Sequence, residues 1–254
     1  MKNYLLTILL LMIIVPFNAN SQTNDIPTML VMWENEIPPD MVSEYEEVVK
    51  KEVALFKKLN YPRSWYLYHT DDYHYWFVMT IKDLNDFEQL NQELGSYLVR
   101  LAEEGFIFTE EFKGKTNFMK PTIMQWLSDL SNMPDGTIDF SKAQYFRWGQ
   151  CYVKVGFEDK FIQNWGEWVK LFKENQLEIG WHLYTGIIGT ENPFFMWGEI
   201  YDSPLDMETK RAKASQKISD DSDKLWSETL QYLRKIEIKT GWYRPDLSYV
   251  IENE

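Results

Sequence analysis

Two side chains in the second half of this 254-residue chain could move a proton, His182 and Glu199. An imidazole titrates near neutrality, and a carboxylate set in an apolar strand must be paired, solvated or functional, because burying it bare costs several kcal/mol. Glu199 lies in the run Phe195-Met196-Trp197-Gly198-Glu199-Ile200. There it could serve as a general base, as could His182. A structural ion pair with Arg147 is the plain alternative for Glu199, and a hydrogen-bonded core position is the plain alternative for His182. Tyr66, Tyr68, Trp76, Tyr184 and Trp197 supply ring faces with a few polar tips, as small-molecule pockets do. The same rings could equally be filler whose tips reach water or backbone.

Other chemistry is poorly supported. His69 and His74 flank Asp71-Asp72, but that spacing matches no strong ligand pattern and suits an exposed hairpin turn, so no metal site is assigned. The sequence has no glycine-rich phosphate loop, no G-x-S-x-G elbow and no paired-histidine zinc helix. Cys151 is the only cysteine, so no intramolecular disulfide can form and the thiol reads as a small buried hydrophobe. The acidic run Asp220-Asp221-Ser222-Asp223 reads as a solvated helix segment. A net charge of −13 argues against nucleic acid and anionic membranes as partners, since both demand clustered Lys and Arg.

The elements that must position these residues begin after a leader. Lys2, the apolar run Tyr4 to Phe17 and the small residues Ala19 and Ser21 have the order of a secretory signal peptide over residues 1–21, with cleavage before Gln22. The expectation is an exported protein, periplasmic or extracellular, with no membrane span after cleavage. An uncleaved N-terminal anchor is the alternative.

The mature chain is one unit written twice. Leu55-Phe56-Lys57 and Trp65-Tyr66-Leu67-Tyr68 return as Leu171-Phe172-Lys173 and Trp181-His182-Leu183-Tyr184, both 116 residues on. Trp126 similarly matches Trp242, and Ile81-Lys82-Asp83 matches Ile200-Tyr201-Asp202 at an offset of 119, as three extra residues in the second hairpin would give. Helical and alternating periodicities place the order β-α-β-β-α-β in residues 28–131 and again in 145–250, with a linker over 132–144. Such a unit makes an antiparallel sheet covered by helices on one face only. Two copies can close their bare faces on each other.

Strand alternation then sorts the faces. Tyr75, Phe77, Met79 and Ile81, with Phe194, Met196, Gly198 and Ile200 as their counterparts, form apolar faces assigned to the helices. The barrel interior is left with Tyr66, Tyr68, Trp76, His182, Tyr184, Trp197 and Glu199. Either Glu34 or Trp33, and either Arg147 or Trp148, join them according to register.

In this arrangement the chain resembles the dimeric α/β-barrel superfamily, which includes antibiotic-biosynthesis-type monooxygenases and several haem proteins. The resemblance rests on element order and duplication, and no catalytic motif of the family maps onto a residue here. It implies an α+β fold, two ferredoxin-like βαββαβ repeats closing as one pseudo-dimeric α/β barrel. Three functions follow: an exported small-molecule-binding protein with an aromatic-lined lumen; a cofactor-independent monooxygenase-like enzyme, in which Glu199 or His182 would take a proton from a phenolic substrate, or a haem-dependent one; and a non-catalytic scaffold with a packed lumen. The cofactor is unknown, a haem reading would need His182 as axial ligand, and a homo-oligomer is left open.

Overall fold

The computed structural model describes residues 28–134 and 144–251. The leader predicted over 1–21 and most of the predicted linker lie outside the described residues. The first half comprises β1 (Met29–Glu36), α1 (Val42–Leu59), β2 (Tyr66–Thr70), β3 (His74–Ile81), α2 (Leu84–Glu103), a one-turn α3 (Phe108–Glu111) and β4 (Phe118–Trp126). The second comprises β5 (Tyr145–Val153), α4 (Glu158–Glu174), β6 (Trp181–Ile188), β7 (Phe194–Tyr201), α5 (Pro204–Tyr232) and β8 (Leu233–Tyr243).

Local chemistry sets the helix limits. α1 buries Tyr45, Val48, Val49, Val53 and Phe56 at helical spacing and ends at Asn60, whose left-handed φ of 52° turns the chain out of the helix. The Asp83 carboxylate accepts from the Asn85 and Asp86 amides to start α2. Ser203 does the same for the Asp206 amide at the start of α5, where Pro204 occupies the first turn.

The eight strands close into one antiparallel barrel in the order β1-β3-β2-β8-β5-β7-β6-β4. Each half lends its last strand to the other, since β4 pairs with β6 and β8 with β2. The chain then turns back over its neighbour. Ser131 Oγ accepts from the Leu183 amide at 3.0 Å and donates to the Leu127 carbonyl at 2.9 Å. At the pseudo-symmetric position Ser248 Oγ accepts from the Leu67 amide at 2.9 Å and donates to the Arg244 carbonyl at 2.8 Å. Sheet and latch together make the two halves one body.

The lumen is a packed core. Met32, Tyr68, Trp76, Phe146, Trp148 and Met196 belong to a single buried cluster inside it. Phe146 and Trp148 stack at 4.1 Å, and Trp148 meets Tyr68 at 5.6 Å and Trp76 at 5.4 Å. A hollow of about 20 Å³ beside Glu34, Gln150 and Tyr152 has room for about one water.

The expected faces hold for β2 and β3, where Tyr66, Tyr68 and Trp76 point inward and Tyr75 and Met79 pack under the helices. They are reversed for β7. Phe194 and Met196 point into the lumen, while Phe195 and Trp197 pack beneath α4. Arg147, Trp197 and Glu199 are therefore not lumen residues; they line the outer face of the sheet. From the first strands it is Glu34 and Trp148 that turn inward, and Trp33 and Arg147 that turn out.

The cause is a register slip of one residue. Leu67 lies opposite Phe77 and Leu183 opposite Trp197, while Asp83 and Ser203 occupy the same cap; both correspondences run at an offset of 120, not 119. The second hairpin is thus four residues longer. An even insertion preserves the parity of a strand, and the odd one inferred from the Ile81/Ile200 letter match inverted it.

Candidate functional site

Beneath α4 and α5, the outer face of β5, β7 and β6 borders a cavity of about 430 Å³. Arg147 and Glu199 are direct cross-strand partners, and Trp181 lies opposite Glu199 on the other side. Arg147 Nη1 lies 3.4 Å from Glu199 Oε2, and Arg211 Nη1 reaches the same oxygen from α5, also at 3.4 Å. Tyr201 donates its hydroxyl to Glu199 at 2.8 Å. The Arg147 guanidinium lies over the Trp197 ring, 4.5 Å from its centre. Trp165, Trp168, Phe172 and Trp226 wall the cavity, and Asp223 enters from the far end of α5.

These contacts decide what the groups can do. Burial pulls the Arg147 guanidinium below its ordinary pKa, with Glu199 opposing that shift. Burial, and then the Glu199 charge, hold the Tyr201 hydroxyl well above its ordinary value, so it remains a donor. Glu199 takes one short hydrogen bond and faces two guanidinium groups, which makes it the partner that orients the arginines rather than a free base. The arginine contacts are long for charge-assisted bonds. Arg147 and Arg211 therefore keep N–H donors for an oxygen atom of a guest.

The first half carries the equivalent cavity, of about 360 Å³, between β1, β3, α1 and α2. Asn91 and Gly95 of α2 stand where Arg211 and Ser215 stand on α5, and Phe56 corresponds to Phe172. Glu52 occupies the place of Trp168. The halves have thus kept one cavity plan and placed its acid differently, on a helix in one and on a strand in the other.

The residues expected to form one constellation are divided by the sheet. Tyr66, Tyr68, Trp76, His182 and Tyr184 stay in the lumen, where His182 stacks on Trp126 at 5.4 Å and its Nδ1 lies 3.4 Å from the Tyr184 hydroxyl. Burial pushes the His182 pKa down to about 4, so the ring is neutral near pH 7. His182 and Glu199 lie on opposite faces of the sheet and cannot share a substrate. Haem does not fit the residues present, because no histidine lines either helix-side cavity and His182 sits among packed rings. His69 packs beside Tyr75 at 5.7 Å while His74 binds Glu34 at 2.8 Å on the other face, so the two do not converge. Among the described residues no group of three His, Cys, Asp or Glu side chains could hold a metal.

Sequence reasoning missed Arg211 and Glu52. Glu52 was detectable as a carboxylate on the buried stripe of α1, three residues after Val49 and four before Phe56. Arg211 carried no such signal, because α5 is charged along much of its length.

No family model and no curated protein matches this sequence. In three dimensions the chain is similar to an anthrone oxidase-like protein, with a TM-score of 0.59 and 13% identity over 87% of this chain and 92% of that one. It is also similar to a candidate monooxygenase from Lactobacillus acidophilus NCFM (TM-score 0.53, 11% identity, 88% and 96% covered). A third similar structure is chlorite dismutase from Candidatus Nitrospira defluvii in complex with imidazole (TM-score 0.51, 10% identity, 88% and 93% covered). Identities this low speak to the fold alone. With its closed eight-strand barrel built from two βαββαβ halves, this chain has the dimeric α/β-barrel fold within a single polypeptide.

Proposed function

We propose that this chain is an exported small-molecule-binding protein that takes a flat aromatic ligand bearing phenol or quinone oxygens in its second-half cavity. One observation carries the reading: Arg147 and Arg211 converge on Glu199 at 3.4 Å inside a cavity walled by tryptophans. The rings supply stacking area, and the guanidinium groups supply donors for an oxygen substituent. The leader pattern supports export, and N-terminal sequencing of the secreted protein should begin at Gln22.

Titration with a hydroxylated anthraquinone should quench tryptophan fluorescence saturably. Arg211→Ala should weaken binding about tenfold, the value of one charge-assisted contact. Trp148→Phe, in the lumen, should leave affinity unchanged. Saturable binding that ignores Arg211→Ala but responds to Trp148→Phe would return the site to the lumen and refute this reading.

A catalytic reading rests on the same cavity. The anthrone oxidase-like and monooxygenase likenesses suggest an anthrone as substrate, its phenolate held by the two arginines. Oxygen uptake with anthrone that is lost in Arg147→Ala would support it. Tight binding without uptake would leave the binding reading alone.

A further inference from the structure

Glu52 in the first-half cavity has no structural task that its surroundings reveal. It is 8% exposed, and among the described residues neither an ion pair nor a hydrogen bond reaches its carboxyl; burial alone pushes its pKa up to about 8. β1, β3, α2 and α3 add no second charge to the lining, and the Tyr45 hydroxyl is a titratable group that feels the Glu52 charge. Asn35 donates its Nδ2 to that hydroxyl at 2.9 Å, which leaves its buried Oδ1 without a partner. The cavity thus offers one latent anion and one unused acceptor within walls of Trp33, Phe56, Trp65 and Phe77.

The space is kept open against helix preference. Gly95 lies inside α2 and borders the cavity, and a Cβ there would meet nothing within 4 Å. Glycine at an interior helical position costs about 1 kcal/mol relative to alanine. Nothing in the backbone requires it, since its φ is not positive.

We propose that this cavity is a second binding site, for an arylalkylammonium ion whose head pairs with Glu52 and whose ring packs against Phe56, Trp65 and Phe77. An ammonium group has donors and no acceptor, so it matches a carboxylate and an amide oxygen, and the ring faces add cation–π attraction. The net charge of −13 favours approach of a cation. Binding converts the Glu52 carboxyl to carboxylate, and the proton passes to the buffer. This inference is independent of the second-half cavity.

The test is calorimetry of the purified protein with phenethylamine at pH 7, in two buffers of different ionisation enthalpy. The expected result is saturable binding with close to one proton released per ligand. The neutral isostere 2-phenylethanol should bind about tenfold more weakly and release none. Glu52→Gln should weaken phenethylamine binding about tenfold and abolish the proton release. Gly95→Leu keeps the carboxyl but fills the space, and should block both ligands. Arg211→Ala should change nothing here. Equal affinity for amine and alcohol, no proton release, or binding that survives Gly95→Leu would each overturn the proposal. If Glu52→Gln fails to fold, the Gly95→Leu result and the wild-type proton count still decide.

Discussion

Replacing Glu52 by glutamine should make the protein more stable, increasingly so as pH rises from about 5 to 8. The carboxyl ionises near 4.5 in the unfolded chain and near 8 in the folded one. A carboxyl with a raised folded pKa favours the native state fully below the unfolded value. That contribution is lost at about 1.4 kcal/mol per pH unit until the folded value is reached. Across the difference between about 8 and 4.5 this amounts to about 5 kcal/mol, a large share of the roughly 5–15 kcal/mol that holds a domain together. Glutamine has nearly the same volume and no charge to bury. Urea denaturation of wild type and Glu52→Gln, followed by tryptophan fluorescence at pH 5, 6, 7 and 8, isolates the effect. Histidines that titrate in this window are common to both proteins and drop out of the difference. The two should be close in stability at pH 5 and several kcal/mol apart at pH 8. A difference that stays constant with pH would refute the claim that Glu52 is held without a partner.

Other consequences follow from the barrel. Trp148 is 7% exposed among lumen rings, so Trp148→Ala should cost about 3–5 kcal/mol in thermal or urea unfolding while leaving both helix-side cavities in place. Ser131→Ala and Ser248→Ala each strip a backbone amide of its acceptor, and each should cost about 1–3 kcal/mol. Similar losses from the two variants would show that the latches are equivalent. His182 titrates near 4 when folded against 6.5 unfolded. Its neutral form therefore supports the fold above pH 6.5, and that support disappears as pH falls toward 4. Wild type should lose about 3 kcal/mol relative to His182→Gln over this interval, measured by denaturation at pH 4 and 7.

The sequence by itself determined the element order, the duplication and the faces of β2 and β3. Those features are local, and periods of 3.6 and 2 show directly which side of an amphipathic element is apolar. Along α1, Tyr45, Val48, Val49 and Phe56 recur at that spacing and occupy the buried side. Only the tertiary structure decided which way β5 and β7 face. Both sides of these strands are buried, one in the lumen and one beneath helices, so alternation carries no direction. The face of β7 then depended on counting a hairpin insertion, and one residue moved Trp197 and Glu199 through the sheet, while β5 offered Arg147 and Trp148 equally. Arg211 lies 64 residues after Arg147 in the chain and meets Glu199 only because α5 packs across β7. The cavities arise where helices lie over the sheet, at distances that no sequence period encodes.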